Sequence, residues 1–221
     1  MKLFFNAIVK FTLGLVLIGA MLFLPAWTLD YPYAWLFLAL LFLPMLILGS
    51  LLFIKAPELL KKRLDVGEKE KAQKGVILFS GLIFPCGFVL SALDFRFSWS
   101  SVPLFLTVIS SVLFLLGYVG YAEVMRENAY LSRTVEVQEN QTVISTGLYA
   151  VVRHPMYLAT LFMFLPLPLI LGSFWGLIPF SLYLPIIAVR IINEEKLLTE
   201  ELDGYAEYKQ KVKYRLIPFI W

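Results

Sequence analysis

The sequence predicts an all-α integral membrane protein with about six spans, and the first reason is its composition. Hydrophobic residues make up 60% of the 221 residues and charged residues 16%, whereas an ordinary soluble domain has about 45–50% apolar and about 25% charged residues. A protein core cannot hide this excess, but a bilayer can. The second reason is the length of the apolar runs, because a spanning helix needs about 20 mostly apolar residues. Four segments reach that length, namely 4–27, 33–54, 75–93 and 102–122.

A fifth apolar run, residues 156–192, is too long for a single crossing. It is interrupted by Leu171, Gly172 and Ser173, so we expect its two halves to form a helical hairpin. Proline suits the first turn of a helix, and we therefore expect the fifth span to begin at Pro155. The first segment is longer than the apolar core of about 7–15 residues in a signal peptide, and no A-x-A-like cleavage site follows it. We expect it to be a retained span.

Positive charge is concentrated on one predicted side of the membrane. The linker 55–74 alone contains Lys55, Lys61, Lys62, Arg63, Lys69, Lys71 and Lys74. The segment 123–155 and the C-terminal tail are also basic, whereas the short loops on the opposite side offer only Arg96. By the positive-inside rule, both termini and both long polar segments face the cytoplasm.

Polar content divides the chain into two parts, 1–122 and 123–221. The first part consists of spans joined by the linker 55–74, which we interpret as a solvated amphipathic connector at the headgroups. The second part contains the residues that could perform chemistry. It begins with a stretch, 132–147, in which valines alternate with polar residues around a polar turn. This pattern is typical of a β-hairpin or an extended segment before the fifth span.

The pattern changes again after Asn193. Leu197, Leu198 and Leu202 fall on one side and carboxylates on the other, which predicts an amphipathic C-terminal helix outside the membrane core. We expect Gly204 to interrupt it. The final residues, 214–221, are rich in aromatic and apolar side chains and read as an interfacial tail.

His154 is the only histidine in the chain and immediately precedes Pro155. At the start of a helix the first N–H groups are unpaired and the dipole is positive, so the position favours an anion such as a ligand carboxylate. The alternative is a residue that simply bonds a nearby carbonyl.

Arg190 lies near the end of a hydrophobic helix, where an arginine is costly. Glu194 follows four residues later and shares its helix face. The pair could line a cavity and hold an anionic group through the planar guanidinium. Alternatively, Arg190 extends to the interface and the ion pair is structural.

Several classes of protein are excluded by what the sequence lacks. Cys86 is the only cysteine, so neither a disulfide nor a cysteine-based metal cluster can form within the chain, and we expect Cys86 to be a small buried hydrophobe. A lone histidine is a poor metal site. There is no G-x-S-x-G and no G-x-G-x-x-G, which argues against a serine hydrolase and a Rossmann domain. We expect neither a metal nor a nucleic acid as a partner.

Two stretches carry a family resemblance: "STGLYAVVRHPMYLATL" at 145–161 and "RIINEEKLLTEELDGYAEYKQKVKYRLIP" at 190–218. Separated by a hydrophobic hairpin, they resemble the isoprenylcysteine carboxyl methyltransferase family, together with related phospholipid methyltransferases and bacterial thiol methyltransferase-like proteins. The resemblance covers about residues 123–221. An R-H-P-x-Y element followed about forty residues later by R-x-x-x-E-E is a specific combination. One departure is Gly147–Leu148, where the family usually has glycine and proline.

The resemblance implies a membrane-embedded methyltransferase that uses S-adenosylmethionine, with a cytoplasm-facing pocket. It implies that the cofactor is framed by Tyr149, Arg153, His154 and Tyr157, with His154 at the methionyl carboxylate. Glu195, with Tyr205 or Tyr208, would contact the adenosine or amino end. Arg190 and Glu194 would face the methyl acceptor through an opening to the lipid and act as the catalytic residues.

The acceptor implied first is a lipidated or isoprenoid-type carboxylate taken from the membrane. Phospholipid N-methylation and small-thiol S-methylation are the alternatives. Two other classes stay open: a membrane NADPH-dependent reductase, since sterol reductases share a similar C-terminal architecture, and a non-enzymatic membrane protein or carrier.

Overall fold

The computed structural model describes residues 2–64, 71–131 and 137–221. These residues are mainly helical, and no strand occurs among them. The helices are α1 (Lys2–Ala26), α2 (Pro32–Lys55), α3 (Pro57–Leu64), α4 (Lys71–Phe97), α5 (Leu104–Glu127), a short 3₁₀ helix (Gly147–Ala150), α6 (Pro155–Phe164), α7 (Leu167–Ile170), α8 (Leu177–Ser181), α9 (Tyr183–Glu201) and α10 (Tyr205–Lys211). The predicted all-α class is confirmed.

Among the described residues, five helical segments are long and apolar enough to cross a membrane. They are α1, α2, Leu78–Phe97 within α4, α5, and Leu177–Glu201, which joins α8 and α9. The four predicted N-terminal spans therefore form helices, and the chain is a multi-pass membrane protein. The helix α5 runs without a break across the predicted boundary between residues 122 and 123, and the division into two parts stays a prediction.

The predicted fifth span is shorter than expected. It consists of α6 and α7 over Pro155–Ile170 and does not reach the length of the other five segments. Pro166 and Pro168 explain the break between α6 and α7, because proline lacks an N–H group and its ring clashes with the preceding turn. The predicted interruption at 171–173 is present, since α7 ends at Ile170 and α8 begins at Leu177.

The position of α6 is set by its close approach to α5. A Cβ atom at Gly117 would lie 2.6 Å from the Met163 Cγ atom and 2.9 Å from the Ala159 carbonyl oxygen. Small residues allow helices to approach in this way in a membrane, where there is no hydrophobic force between them. The start of α6, where the candidate site lies, is therefore fixed against the bundle.

Apolar side chains cover the outside of the bundle as well as its interior. Phe37 and Phe114 are buried in the centre, while Phe5 and Leu104 are exposed on the outer face. Large exposed apolar surfaces of this kind are typical of contact with lipid. Cys86 is exposed as well, so the expectation that it is buried was wrong. It lies four residues after the exposed Leu82 on the same outer face of α4.

The first half of the linker 55–74 is amphipathic, as the sequence indicates, and its apolar face packs inside the protein. Residues 57–64 form α3, and its Leu59 side chain is buried in a cluster with Val124, Met125 and Tyr149. The neighbouring Lys62 donates to the Gln138 side chain at 2.6 Å. The two adjacent leucines give α3 one apolar face, and what the sequence did not indicate is that this face packs against the C-terminal part of the chain.

The predicted β-hairpin is only partly testable, because residues 132–136 lie outside the described residues. Residues 137–146 are extended around a turn at 139–140 and pair with no strand in the described chain. Val137 and Val143 instead pack against Leu202, Tyr205 and Tyr208. The described part of the stretch thus agrees with the extended alternative, and Val137 and Val143 are partly buried against the C-terminal helical region instead of a second strand.

The end of the chain follows the predicted order. The helix α9 continues beyond its apolar part to Glu201, and Gly204 adopts the left-handed conformation with φ of 82° before α10 begins. Only glycine adopts this conformation without strain. The predicted interruption at Gly204 is confirmed, and α10 turns back toward the start of α6.

Candidate active site

A cavity lies between the start of α6, the middle of α9 and α10. Asn128, Tyr130, Leu131 and residues 141–144 also line it. The predicted site residues that line it are Tyr149, Arg153, His154, Tyr157, Arg190, Glu194, Tyr205 and Tyr208. Of the predicted set only Glu195 is absent from the lining. Residues far apart in sequence are thus brought together as the motifs imply.

The start of α6 is held by the C-terminal tail. The backbone N–H groups of Arg153 and His154 donate to the carbonyl oxygens of Tyr214 and Arg215, each at 2.9 Å. The helix begins at Pro155, as predicted, and no side chain of the described residues caps it. Its positive end therefore lies at the cavity with His154 beside it.

Glu195 is a buried centre for three cationic or donor side chains. One oxygen accepts a hydrogen bond from Arg153 Nε at 2.6 Å and lies 3.3 Å from His154 Nε2. The other oxygen accepts from Arg215 Nε at 2.9 Å. The Glu195 side chain is only 3% exposed. It binds its neighbours within the protein instead of facing the cavity.

Arg153 extends this arrangement to the tail. Its Nη1 atom donates to the carbonyl oxygens of Val212 at 2.6 Å and Lys213 at 2.9 Å. A guanidinium is well suited to this because it offers several donors in a fixed plane. We call this connected group the Glu195 cluster. Its members are Glu195, Arg153, His154, Arg215 and the backbone carbonyl groups of Val212 and Lys213.

Tyr157 joins the two residues that the sequence assigned to catalysis. Its hydroxyl donates to Glu194 Oε2 at 2.5 Å and accepts from Arg190 Nε at 2.9 Å. The prediction that Arg190 and Glu194 share a helix face is confirmed, since both line the cavity. The resemblance assigned Tyr157 to the cofactor, but the position of its hydroxyl between Arg190 and Glu194 was not predicted.

Tyr149 is held in the cavity wall by a 3₁₀ helix. Asn128 donates to its hydroxyl at 2.9 Å, and the Tyr208 hydroxyl donates to its carbonyl oxygen at 2.7 Å. Burial raises the pKa of Tyr149 to about 12, although the bond from Asn128 lowers it. The phenol is therefore neutral at physiological pH and acts as a hydrogen-bonding group.

The 3₁₀ helix depends on Gly147, which has a φ of 52°. Glu127 accepts a hydrogen bond from the Leu148 N–H group at 3.0 Å, and a Cβ atom at Gly147 would collide with the Glu127 carboxylate. Both the left-handed conformation and the close carboxylate require glycine. The leucine that follows, where the family usually has proline, supplies the N–H group that Glu127 binds.

Tyr205 is the one described cavity residue whose buried hydroxyl has no hydrogen-bond partner in the described chain. Burial, followed by the charges of Glu195 and Glu194, raises its pKa above the ordinary value. Buried hydroxyl groups are nearly always paired. This one lines the cavity, so a bound molecule could supply the missing partner.

Some contributors were not found from the sequence. Asn128, Gln141 and Arg215 all take part in the cavity or the Glu195 cluster. Arg215 belongs to the second motif, 190–218, but it was not predicted as a site residue. It lies 20 residues from Glu195 across a turn, and helical periodicity cannot report a contact of this kind. Lys62 and Arg63 of α3 reach Gln138 and Met156, and their linker position concealed this role.

No cluster of three or more His, Cys, Asp or Glu residues suited to a metal lies in the part of the chain that the structure describes. The charged groups at the cavity instead form the two networks described above, one around Tyr157 and one around Glu195.

The fold and the cavity define a multi-pass membrane protein with a polar site at the end of its helices. Residues 105–204 match the model of the phospholipid methyltransferase family. This region of the chain is similar to that family, which is part of the isoprenylcysteine carboxyl methyltransferase-like group of membrane methyltransferases. The matched region extends from α5 to Gly204 and includes both sequence motifs. No curated protein sequence matches the chain.

Proposed function

We propose that the chain is a membrane-embedded methyltransferase that transfers the methyl group of S-adenosylmethionine to a lipophilic acceptor, with its site facing the cytoplasm. The observation that carries the proposal is the meeting of the two motifs at one cavity. Tyr157 of the first motif is hydrogen-bonded to Arg190 and Glu194 of the second. The family match over 105–204 supports the same class of activity.

The cavity residues suit the charged and polar parts of the cofactor. We assign its methionyl carboxylate to His154 and the positive end of α6. We assign its positive sulfonium and ammonium groups to the neighbourhood of Glu194, because a carboxylate attracts both. The unpartnered Tyr205 hydroxyl supports a polar contact with the amino or nucleoside end, and Tyr149 and Tyr208 form the adjoining wall.

We propose that Glu195 acts through its neighbours. A direct contact with the cofactor would require Glu195 to leave Arg153 or Arg215, both of which it binds in a buried position. Losing one partner of such a buried pair is costly. Its role in our proposal is to hold the His154 ring at 3.3 Å and to connect α9 with the tail.

The enclosed part of the cavity measures about 100 Å³. Ligand pockets are usually about 300–1,000 Å³. Binding of a nucleoside-sized molecule therefore requires the wall to move. We propose that residues 141–144 and α10 move outward, since both lie outside the apolar part of the helices.

When bound, the cofactor supplies a methyl group on a positively charged sulfur, and its transfer is an in-line displacement. The residues of the chain contribute alignment and exclusion of water, which are effective when the reacting groups are held in place. Arg190 orients an anionic group of the acceptor. Glu194 favours positive charge at the cofactor side, and the Tyr157 hydroxyl fixes the separation of the two.

For the acceptor we propose a carboxylate on a lipidated or isoprenoid-type molecule. A carboxylate is already ionised at neutral pH, so its methylation needs no base, and Arg190 can bind it through a planar guanidinium. The family match favours a second candidate, the amine of a phospholipid. An ammonium group must first lose a proton, and Glu194 is the carboxylate at the cavity that could accept it.

The test uses purified protein in lipid nanodiscs with S-adenosylmethionine labelled in its methyl group. A farnesylated cysteine and phosphatidylethanolamine are offered separately. Label that mild base releases as methanol indicates a methyl ester and supports the carboxylate, whereas base-stable label in the lipid indicates the amine. Calorimetry with S-adenosylhomocysteine and NADPH is run in parallel. Binding of NADPH alone would favour the reductase, and folded protein that binds neither would contradict the methyltransferase proposal.

A further inference from the structure

We propose that the C-terminal segment 209–221 is a binding surface for anionic phospholipid headgroups and that its occupancy strengthens cofactor binding. The lipid contact is independent of the proposed function, whereas its effect on cofactor affinity rests on that function. Three features of the segment carry the proposal: its charge, its exposed apolar turn and its position beside a candidate span.

The charge of the segment is entirely positive. It contains Lys209, Lys211, Lys213 and Arg215 and no acidic residue. Lys211 and Lys213 are exposed. Clusters of lysine and arginine beside a membrane are attracted to its anionic lipids. The charge is thus complementary to an anionic lipid surface.

The apolar part of the segment is a closed turn that presents two side chains outward. The Leu216 N–H group donates to the Trp221 carbonyl oxygen at 2.9 Å. Phe219 has a φ of 66°, in the left-handed region. Phe219 is 88% exposed and Ile220 is 77% exposed. Large apolar side chains beside positive charge are typical of segments that insert at the headgroup boundary.

The position of the turn favours lipid over a soluble partner. Leu216 is buried against Ile187 and Ile191 of α9, and Trp221 packs on the same cluster. Ile187 and Ile191 belong to a candidate membrane span. Both residues lie within two turns of Asn193, where the apolar part of α9 ends, and we therefore place the turn, with the exposed Phe219 and Ile220, near the level of the headgroups. Tryptophan is enriched at this depth in membrane proteins.

The same surface has a recess that suits a lipid phosphate. Lys213, Tyr214 and Arg215 line it together with Phe219 and Trp221, and its volume is about 390 Å³. Arg153 lines the recess as well, and its basic side chains and aromatic rim can hold a phosphate and the adjoining glycerol. The ligand chemistry is therefore that of a phosphodiester with attached acyl chains.

Arg215 connects this surface to the cavity. Its Nε atom binds Glu195 at 2.9 Å, its guanidinium lies 5.3 Å from the centre of the Trp221 ring, and its carbonyl oxygen accepts from the His154 N–H group. Lipid that fixes the turn would also fix Arg215 and, through it, Glu195 and His154. A ligand that stabilises the binding-competent arrangement raises apparent affinity for the second ligand.

The first arm of the experiment measures lipid contact without the cofactor. Phe219→Cys is made in a Cys86→Ala background and labelled with an environment-sensitive fluorophore. The protein is placed in nanodiscs of phosphatidylcholine alone or with roughly one third phosphatidylglycerol. We expect blue-shifted emission in the anionic discs and quenching by lipids brominated on their acyl chains. The shift should be lost in Lys211→Gln/Lys213→Gln and kept in Lys61→Gln, an exposed lysine of α3.

The second arm measures the affinity for S-adenosylhomocysteine in the same two lipids. We expect the affinity of the wild type to rise several-fold in anionic discs and that of the double variant to stay constant. Equal emission in both lipids would overturn the proposed lipid surface. An emission shift that depends on protein concentration would show that the surface binds a second copy of the chain, and this result would also overturn the proposal. Lipid-dependent emission with equal affinities would overturn the coupling. Absence of S-adenosylhomocysteine binding in every lipid counts against the proposed function, and the first arm still decides the lipid surface.

Discussion

The Nε atom of Arg153 lies 2.6 Å from the Oε1 atom of Glu195, although the two residues are 42 positions apart in the chain. Both side chains are almost completely buried. The contact joins the residue before the α6 entrance to the middle of α9 and, through further bonds, to the tail. The geometry of the cavity therefore depends on an ion pair of which Arg153 reaches the lining and Glu195 lies behind it.

Replacing Glu195 by glutamine is expected to destabilise the protein strongly. The variant leaves the Arg153 guanidinium without a carboxylate in a buried position, which typically costs about 3–5 kcal/mol. Thermal unfolding in detergent should show a clear drop in the midpoint temperature, and S-adenosylhomocysteine affinity should fall. Glu200→Gln, at an exposed position of α9, is the matched control and should unfold within about 0.5 kcal/mol of the wild type. Equal unfolding of Glu195→Gln and the wild type would contradict the central role of the carboxylate.

Tyr157→Phe should reduce methyl transfer with little effect on folding. The variant keeps the ring but removes the hydroxyl that bridges Arg190 and Glu194, and misplacement of reacting groups by about 1 Å can cost about 100-fold in rate. The control is Tyr183→Phe, whose hydroxyl binds Thr160 at 2.9 Å and does not line the cavity. The rate of methyl transfer should be much lower in Tyr157→Phe than in Tyr183→Phe, while the thermal unfolding midpoints of the two variants remain similar. Equal loss of activity in both would argue against a specific role for Tyr157.

Arg190→Ala should abolish transfer while leaving S-adenosylhomocysteine affinity within a few-fold of the wild type. The reason is that we assign Arg190 to the acceptor. Arg190→Lys keeps the charge but loses the Nε donor to Tyr157, so it should recover little activity. Single-turnover rates and calorimetry on the same preparations make the comparison. A parallel loss of binding and transfer in Arg190→Ala would place Arg190 in the cofactor pocket.

His154→Ala should weaken cofactor binding about tenfold or more. Its ring lies at the positive end of α6, and removal of one charged hydrogen bond costs about 1.5–3 kcal/mol. Calorimetric titration of S-adenosylhomocysteine measures the effect, with the thermal midpoint as a check on folding. Unchanged affinity in a folded variant would end the assignment of His154 to the carboxylate.

Lys62→Met should lower the cofactor affinity several-fold although Lys62 belongs to the N-terminal part of the chain. Its ammonium group binds Gln138 at 2.6 Å, and Gln138 in turn donates to the carbonyl oxygen of Tyr130 in the cavity wall. Lys62→Arg should restore the affinity because it restores a donor. The neighbouring exposed lysine gives the control Lys61→Met. Steady-state kinetics provide the measurement, and we expect a higher KM for S-adenosylmethionine in Lys62→Met. A decrease confined to kcat would contradict a role of Lys62 in shaping the cavity wall.

The sequence was sufficient to predict most of the fold because apolar runs of spanning length leave few alternatives in a membrane. It was insufficient at 155–170, where two prolines shorten the helix, and at 57–64, where an amphipathic pattern did not reveal what the apolar face contacts. The valines around residue 140 show a further limit. Alternation predicts a surface that is half buried, but it does not say whether the partner is a strand or, as at Val137 and Val143, a helix.

The candidate site was predictable to the extent that its residues occur in two recognisable motifs. The grouping of Tyr157, Arg190 and Glu194 followed from those motifs and from helical spacing. The placement of Glu195 behind the cavity did not, because adjacent residues on a helix differ by about 100° and only the packing of the tail decides what each one faces. Arg215 and Lys62 act across large sequence separations, and no local pattern reports such contacts.

The bond between Arg215 and Glu195 also has a consequence for biosynthesis. The chain emerges from the ribosome in order, so Arg153 and Glu195 are both made before Arg215, which completes the partners of the carboxylate. Charged groups are costly in a newly inserted helix until their partners arrive. Assembly of the site is therefore expected only after residue 215 has emerged, and a nascent chain arrested before this point should be more accessible to proteases around α6 than the released protein.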